Sequence, residues 1–299
     1  MKISIIIATY NRGHELMRTL ASLLSQSLPA QEWEAVVTDN NCTDDTQALF
    51  ARFCEEHPGY NLRLLTESRQ GLSPARNRAI GASRGAIIAV IDDDEVVNAD
   101  FARAYVEFFD SHPEVEVCGG KIVPRYECPV PAWLSPYAER PIAGPLDMGD
   151  TPRPFRGGRY PGGGNMAVRR SALERAGMFN PELGRTGSNP TGGEEKDLVR
   201  RITASGTPAW YVPGAVIWHL IPPAKLTADY FDRLTLGVGR SERVRSKSEG
   251  SFGRRLAAEL VKWGGTLVLA AGYRLRGQAP KGAALIRMRR RITAGLLGR

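Results

Sequence analysis

The chain has 299 residues, is 42% hydrophobic and 24% charged, and carries a formal net charge of +8. That is long enough for one large domain, or a domain with an appendage, and ordinary enough to exclude disorder and low complexity for most of its length. The charge is uneven: residues 240–299 hold 15 Lys/Arg against 3 Glu and no Asp, so a mildly acidic body carries a strongly basic tail, which points to an anionic partner, membrane or nucleic acid.

In chain order, "ISIIIATY" reads as a short buried strand. Leu16, Leu20, Leu23 and Leu24 then share one face of a helix. "WEAVVTDN" is a second strand, followed by a helix carrying Leu49 and Phe53 that Thr43 or Asp44 can cap. "LRLLTES" is a third strand, and "SPARNRAIGAS" a helix with Ser at the N-cap and Pro in the first turn. "AIIAVIDDDE" is a fourth strand, and "NADFARAYVEFFDSH" a helix burying Phe101, Tyr105 and Phe108. This alternation predicts an α/β fold with a parallel sheet, helices on both faces, and ligands beyond the carboxyl ends of the strands.

Residues 124–164 are rich in Pro and Gly, as expected of a lid or binding loop. "GNMAVRR" and "SALERAGMF" predict a strand and a helix. The glycine-rich "GRTGSNPTGGEEKDLVRRI" leads into another helix, and "PAWYVPGAVIWHL" into a strand pair or extended run. Cys42, Cys54, Cys118 and Cys128 form no C-x-x-C pair and are expected to be buried free thiols. The start of the chain does not read as a secretory signal, and no stretch reaches the roughly 20 apolar residues of a spanning helix. A cytoplasmic protein is expected.

Asp92, Asp93, Asp94 and Glu95 end the fourth strand, on the predicted ligand edge. Four adjacent acids need a positive partner: a divalent cation, a ligand's amine, or Arg/Lys of the chain itself. Carboxylate clusters suit Mg2+ or Mn2+. If the strand stays extended, Asp92 and Asp94 share a face and Asp93 points away. The first loop, "ATYNRG", lacks G-x-G-x-x-G, and no G-x-x-x-x-G-K-[ST] occurs, which disfavours dehydrogenases and P-loop enzymes.

The blocks "SIIIATYNR", "WEAVVTDNNCTDDT", "GLSPARNRAIGASRGAIIAVIDDDE", "GGGNMAVRRSALERAGMFNPELG", "GGEEKDLVRRI" and "VIWH" resemble, in order and spacing, those of family 2 glycosyltransferases with the GT-A fold. The resemblance covers roughly residues 1–235 and leaves 236–299 as a basic amphipathic helical tail. It implies a metal-dependent, inverting transfer of one sugar from a nucleotide-diphosphate sugar, UDP by default, to a hydroxyl of a glycan or lipid-linked acceptor in cell-surface polysaccharide or glycolipid assembly.

The resemblance also implies roles. Thr9, Tyr10 and Arg12 would lie against the nucleotide, Asp39 would read its base, and Arg76 would lie near base and phosphates. "DDDE" is similar to the family's D-x-D motif: Asp92 would face the nucleotide sugar, Asp94 would ligate the metal with His219, and Asp93 would lie beside them. Gly163, Gly164 and Asn165 would line the donor and acceptor site. Glu195 or Glu194 would be the general base; the family commonly has Asp at position 195, which leaves open a catalytically impaired nucleotide-sugar-binding relative. Trp133, Tyr137 and Tyr160 would furnish an acceptor lid. The tail suits peripheral attachment to the cytoplasmic face of a membrane. A nucleotidyltransferase would need a glycine-rich basic first loop, and a nucleic-acid-binding tail more interleaved aromatic residues, so no nucleic-acid partner is expected.

Overall fold

The computed structural model describes residues 1–186 and 192–299, without the side chain of Ser248. In chain order the elements are β1 (Ile3–Thr9), α1 (Gly13–Leu23), β2 (Trp33–Asp39), α2 (Thr46–Glu56), β3 (Leu62–Thr66), α3 (Leu72–Ala82), β4 (Ile87–Asp92), β5 (Glu95–Val97), α4 (Phe101–Ser111) and β6 (Val117–Tyr126). They continue with α5 (Pro136–Ala143), β7 (Arg153–Pro154), β8 (Met166–Arg169), α6 (Arg170–Ala176), α7 (Glu194–Thr203), β9 (Trp210–Ile221), α8 (Ala228–Ser248), α9 (Phe252–Leu275) and α10 (Ala279–Leu297).

The sheet runs β3-β2-β1-β4-β8-β6-β9-β5, with β7 paired to β9. The first four strands are parallel, as the alternating pattern predicts. Beyond β4 the sheet becomes antiparallel, because β8 pairs β4 in the opposite sense. The parallel strands expected from the alternating pattern are thus continued by an antiparallel half. "PAWYVPGAVIWHL" is one long strand rather than a pair.

Period-2 alternation sorts β1 onto two cores. Ile3, Ile5 and Ile7 pack with Leu16, Leu20, Phe101 and Tyr105 on one face. Ile6 packs with Val36, Val90, Leu198 and Ile202 on the other. Covering both faces explains why these strands are nearly continuous apolar runs.

Three local expectations change. Helix α3 begins at Leu72, one residue before Ser73; Gly71 at φ 143° precedes it, and the Ser73 hydroxyl donates to the Leu183 carbonyl at 2.6 Å instead of capping. Residues 124–164 are not uniformly irregular: Ser135 caps α5 by accepting from the Ala138 N–H. Only Cys118 of the four free thiols is buried; the others are half-buried.

The chain divides into two compact units. One contains Met1–Val123, the described part of 146–187, and Gly193–Leu220; the other contains Pro124–Pro145 and Ile221–Arg299. A boundary at 235 falls inside α8, a continuous helix. In the second unit Leu134, Ile142, Phe231, Leu285, Met288 and Ile292 form a core of their own. Gly239 of α8 and Gly295 of α10 let these helices approach closely: a Cβ at Gly239 would collide with the Ile292 carbonyl, and one at Gly295 with that of Leu236. No helix among the described residues is long and apolar enough to cross a membrane.

Candidate functional site

The parallel strands end level with one another. Thr9 lies beside Asp39 in the β1–β2 register, and Ala8 beside Asp92 in β1–β4. At this edge the four acids separate. Strand β4 stops at Asp92 and the chain turns through Asp93 and Asp94 before β5. Strand alternation therefore does not reach Asp94, and the expected pairing of Asp92 with Asp94 is replaced.

Asp93 and Asp94 share one cation: Arg12 Nη1 lies 3.0 Å from a carboxylate oxygen of each. Asp92, half-exposed, turns instead to Arg76 Nη2 at 3.0 Å. The chain's own arginines thus supply two of the positive partners that the acids require. The Thr9 hydroxyl also donates to Asp93 at 2.8 Å, and the Thr19 hydroxyl to the Asp93 carbonyl at 2.9 Å. Burial pushes the Asp93 carboxyl up to about 6, with Arg12 opposing the rise and Asp94 adding to it. Burial works against the Arg12 charge as well, but Asp93 and Asp94 outweigh it.

Glu95, the fourth acid, is buried and accepts the Asp92 backbone N–H at 2.8 Å. Burial, then Asp92 and Asp94, raise its pKa well above the ordinary value. It shapes the turn that presents the other three acids. Across the β5–β9 register it sits opposite His219. The His219 ring lies 3.7 Å from the other oxygen of Asp94.

Arg76 is the hub. It is 2% exposed. Besides Asp92 its guanidinium reaches Glu195 at 3.2 Å, Glu194 at 3.4 Å and the Gly163 carbonyl at 3.2 Å. It also lies over the Phe179 ring, 5.3 Å from the centroid. Arg76 was expected beside the base and phosphates; these contacts place its charge among acids of two elements, β4 and α7.

The two candidate bases differ. Both occupy the first turn of α7, where the helix dipole favours a carboxylate. Glu194 is buried, with no hydrogen-bond partner for Oε2 among the described residues. Burial, then its neighbour Glu195, push it up to about 7 against the pull of Arg76. The Glu195 side chain is 19% exposed and therefore within reach of a second molecule.

Gly163 and Gly164 approach protein carboxylates. A Cβ at Gly163 would collide with Glu195, and one at Gly164 with Glu95. Asn165 is fully buried: it accepts from the Tyr105 hydroxyl at 2.6 Å and donates to the carbonyls of Lys121 at 3.0 Å and Ala215 at 2.9 Å. Its amide thus braces three elements of the unit, while it was expected to line the donor and acceptor site. Asp39 is tied similarly, accepting from the Cys42 N–H at 2.7 Å and from Gln47 at 2.6 Å. Tyr10, by contrast, is 47% exposed at the edge.

The aromatic residues expected in a lid divide between the two units. Trp133 packs on Phe231, 5.1 Å between ring centroids, within the second unit. Tyr137 belongs to the same unit, and Tyr160 is an exposed residue of the first. Within "GRTGSNPTGGEEKDLVRRI", residues 187–191 lie outside the described residues. Glu95 and Thr19 were not assigned roles from the sequence; Glu95 carried a signal, as the fourth acid in a run that ends inside an apolar strand.

No group of three or more His, Cys, Asp or Glu side chains among the described residues is arranged to hold a metal ion by itself. Asp94 and His219 offer one oxygen and one nitrogen donor, and Asp93 a neighbouring oxygen. These are donor types that would suit a Mg2+- or Mn2+-type cation.

This edge geometry accompanies a family match over more than half of the chain: the model described as Glycosyl transferase family 2 matches residues 4–177. The glucosyl-dolichyl phosphate glucuronosyltransferase of Haloferax volcanii is 23% identical over 256 residues, covering 82% of this chain and 77% of that protein. Several other curated relatives are matched over only about 30% of their own length. Among solved structures, the mannosyltransferase PcManGT of Pyrobaculum calidifontis, in complex with GDP-Man and Mn2+, superposes with a TM-score of 0.62 at 18% identity, over 96% of this chain and 85% of that one. S. aureus TarS 1-349 with UDP-GlcNAc gives 0.57 at 18% identity, over 80% and 66%. Carboxylates gathered at the ends of parallel strands, on a sheet shared with these enzymes and under a matching family model, make the chain a member of glycosyl transferase family 2 with the GT-A fold.

Proposed function

We propose that the chain transfers one sugar, with inversion, from a nucleotide-diphosphate sugar to an acceptor hydroxyl. The observation that carries this reading is the arrangement around Arg76, which joins the donor-side acid Asp92 to the half-open carboxylate Glu195. Glu195 is the general base: it takes the proton of the acceptor hydroxyl as that oxygen attacks the anomeric carbon from the face opposite the leaving diphosphate. Glu194 lies beside it, its carboxyl raised to about 7 chiefly by burial. Tyr10 and Asp92, both accessible, contact base and ribose, while Thr9, Asp39 and Asp93 hold the loops that carry them.

Asp94 and His219 would hold a divalent cation, with Asp93 and Arg12 beside it. Such a cation, when bound, neutralises charge on the departing diphosphate. UDP sugars are the first donors to test, with GDP sugars second, since neighbours of the same fold were solved with UDP-GlcNAc and with GDP-Man. The similarity over most of the chain to an enzyme named for a glucosyl-dolichyl phosphate supports a lipid-linked glycan acceptor.

The test is binding and turnover of a panel of nucleotide sugars, with and without Mn2+ or Mg2+, by wild type, Asp94→Ala and Glu195→Gln. One donor should bind the wild type in a metal-dependent way and fail to bind Asp94→Ala. Glu195→Gln should retain binding and lose turnover. Absence of donor binding under all conditions would overturn the transferase reading. Donor binding without turnover on any acceptor would favour the catalytically impaired relative.

A further inference from the structure

Helix α9 packs inward through Leu269 and Tyr273, partly buried against the core of its unit, and through polar side chains. Its buried positions include Glu259 and Thr266, and the Trp263 indole N–H donates to the Thr293 hydroxyl at 3.0 Å. Glu259 is held there by Arg255 at 3.0 Å and Arg289 at 3.1 Å. The opposite face is apolar and bare. Leu260, Val261, Leu267, Val268 and Leu275 are 54–89% exposed. Ala257, Ala258, Gly264, Gly265 and Ala271 are exposed between them. These positions recur every three to four residues, so they form one stripe, about 27 Å long at 1.5 Å per residue. A contiguous apolar face of this size on a helix marks a partner surface.

The other tail helices do not share this property. Leu285, Met288 and Ile292 of α10 are buried in the core of their own unit. Arg287 and Arg291 are spent on Asp232, at 2.5 Å each. The sequence pattern of α10 promised a membrane face more strongly than that of α9, and the structure assigns its apolar face to the interior.

We propose that the bare face of α9 docks on an anionic lipid surface, lying in its plane. Charge complementarity selects this occupant. Exposed Arg254, Lys262, Arg274 and Arg276 border the stripe. Residues 262–299 contain nine Lys/Arg and no acid. Two copies meeting through this face would bring these charges together, which disfavours self-association. Anionic headgroups attract them, while the aliphatic side chains enter the acyl boundary. The helix is not apolar enough to cross. The inference goes beyond the transferase reading and does not depend on it.

The test is co-sedimentation of the full chain with vesicles of phosphatidylglycerol or of phosphatidylcholine, at low and high salt, for wild type and for Val261→Asp combined with Val268→Asp. Both valines point outward, so helix content and thermal midpoint should match the wild type, which circular dichroism checks. Wild type should bind phosphatidylglycerol, weaken with salt, and bind phosphatidylcholine poorly; the double variant should lose binding by about tenfold or more. A wild type that stays in solution with phosphatidylglycerol would overturn the proposal, as would a folded double variant that binds equally well. A dimer in light scattering that the double variant dissociates, without vesicle binding, would assign the face to a second copy instead.

Discussion

Gly163 and Glu195 occupy adjoining space: a single added Cβ on the glycine would collide with the Oε1 of the carboxylate. The same glycine presents its carbonyl to Arg76 at 3.2 Å. Gly163→Ala should therefore push Glu195 away from its working position while leaving the nucleotide edge intact. We expect kcat to fall by about 100-fold with donor affinity nearly unchanged, since a displacement of about 1 Å at a reacting group costs that much. Steady-state kinetics with donor-binding titrations check this. A variant with wild-type kcat would mean that Glu195 does not act on the acceptor.

Arg76 is buried among Asp92, Glu194 and Glu195. Removing one member of a buried ionic cluster leaves the rest uncompensated, at about 3–5 kcal/mol. Arg76→Ala should lose that much in urea denaturation. Arg76→Lys should recover only part of it, because one ammonium cannot replace a planar fork that reaches several partners. Full recovery with Lys would show that charge alone matters there.

Glu194 makes stability depend on pH in a known direction. Its carboxyl is raised from an ordinary 4.5 to about 7. Such a group contributes stability that is complete below 4.5 and lost as pH rises through about 7. Asp93, raised to about 6, acts in the same sense. Glu194→Gln should match the wild type near pH 4 and exceed it by roughly 3 kcal/mol above pH 8. Urea midpoints across that range are the check; parallel wild-type and variant curves would contradict the assignment.

Two glycines in the tail helices should respond oppositely to the same substitution. Gly239 meets the Ile292 carbonyl across the α8–α10 contact, so Gly239→Ala should destabilise by about 1–3 kcal/mol. Gly264, on the open face of α9, has nothing within 4 Å of an added Cβ. Gly264→Ala should stabilise by about 0.5–1 kcal/mol, the helix-propensity difference. Thermal melts of the two variants distinguish a packed glycine from a free one.

Much of the fold was readable because parallel strands buried on both faces leave unmistakable apolar runs. "ISIIIATY", "WEAVVTDN" and "AIIAVID" needed only local pattern to be assigned. The antiparallel half was less legible: β5 and β7 are 3 and 2 residues long, and their pairing with β9 is a matter of distant chain segments. At the candidate site the residue types were legible and their partners were not. The run from Asp92 to Glu95 announced an acidic edge, but strand alternation misassigned its faces, because the chain leaves the strand at Asp92. Asn165 stood in a block that resembles a donor site, and no local feature distinguishes a ligand contact from a brace between Tyr105 and Ala215.

By itself the sequence determined the alternating strands and helices of residues 1–110, the acidic strand ends, the basic tail and the family, all of which depend on short-range periodicity or on residue types in a fixed order. Tertiary structure alone decided which cation each acid holds. Arg12 lies some 80 residues from Asp93 and Asp94, and Arg76 more than 100 from Glu194 and Glu195. It decided that Glu194 is buried and Glu195 open, although they are neighbours on one helix. It also decided that α10 buries Leu285 and Leu296 while α9 exposes Leu260, Leu267 and Leu275. Burial and charge pairing are set by what the rest of the chain brings alongside, and no local window contains that.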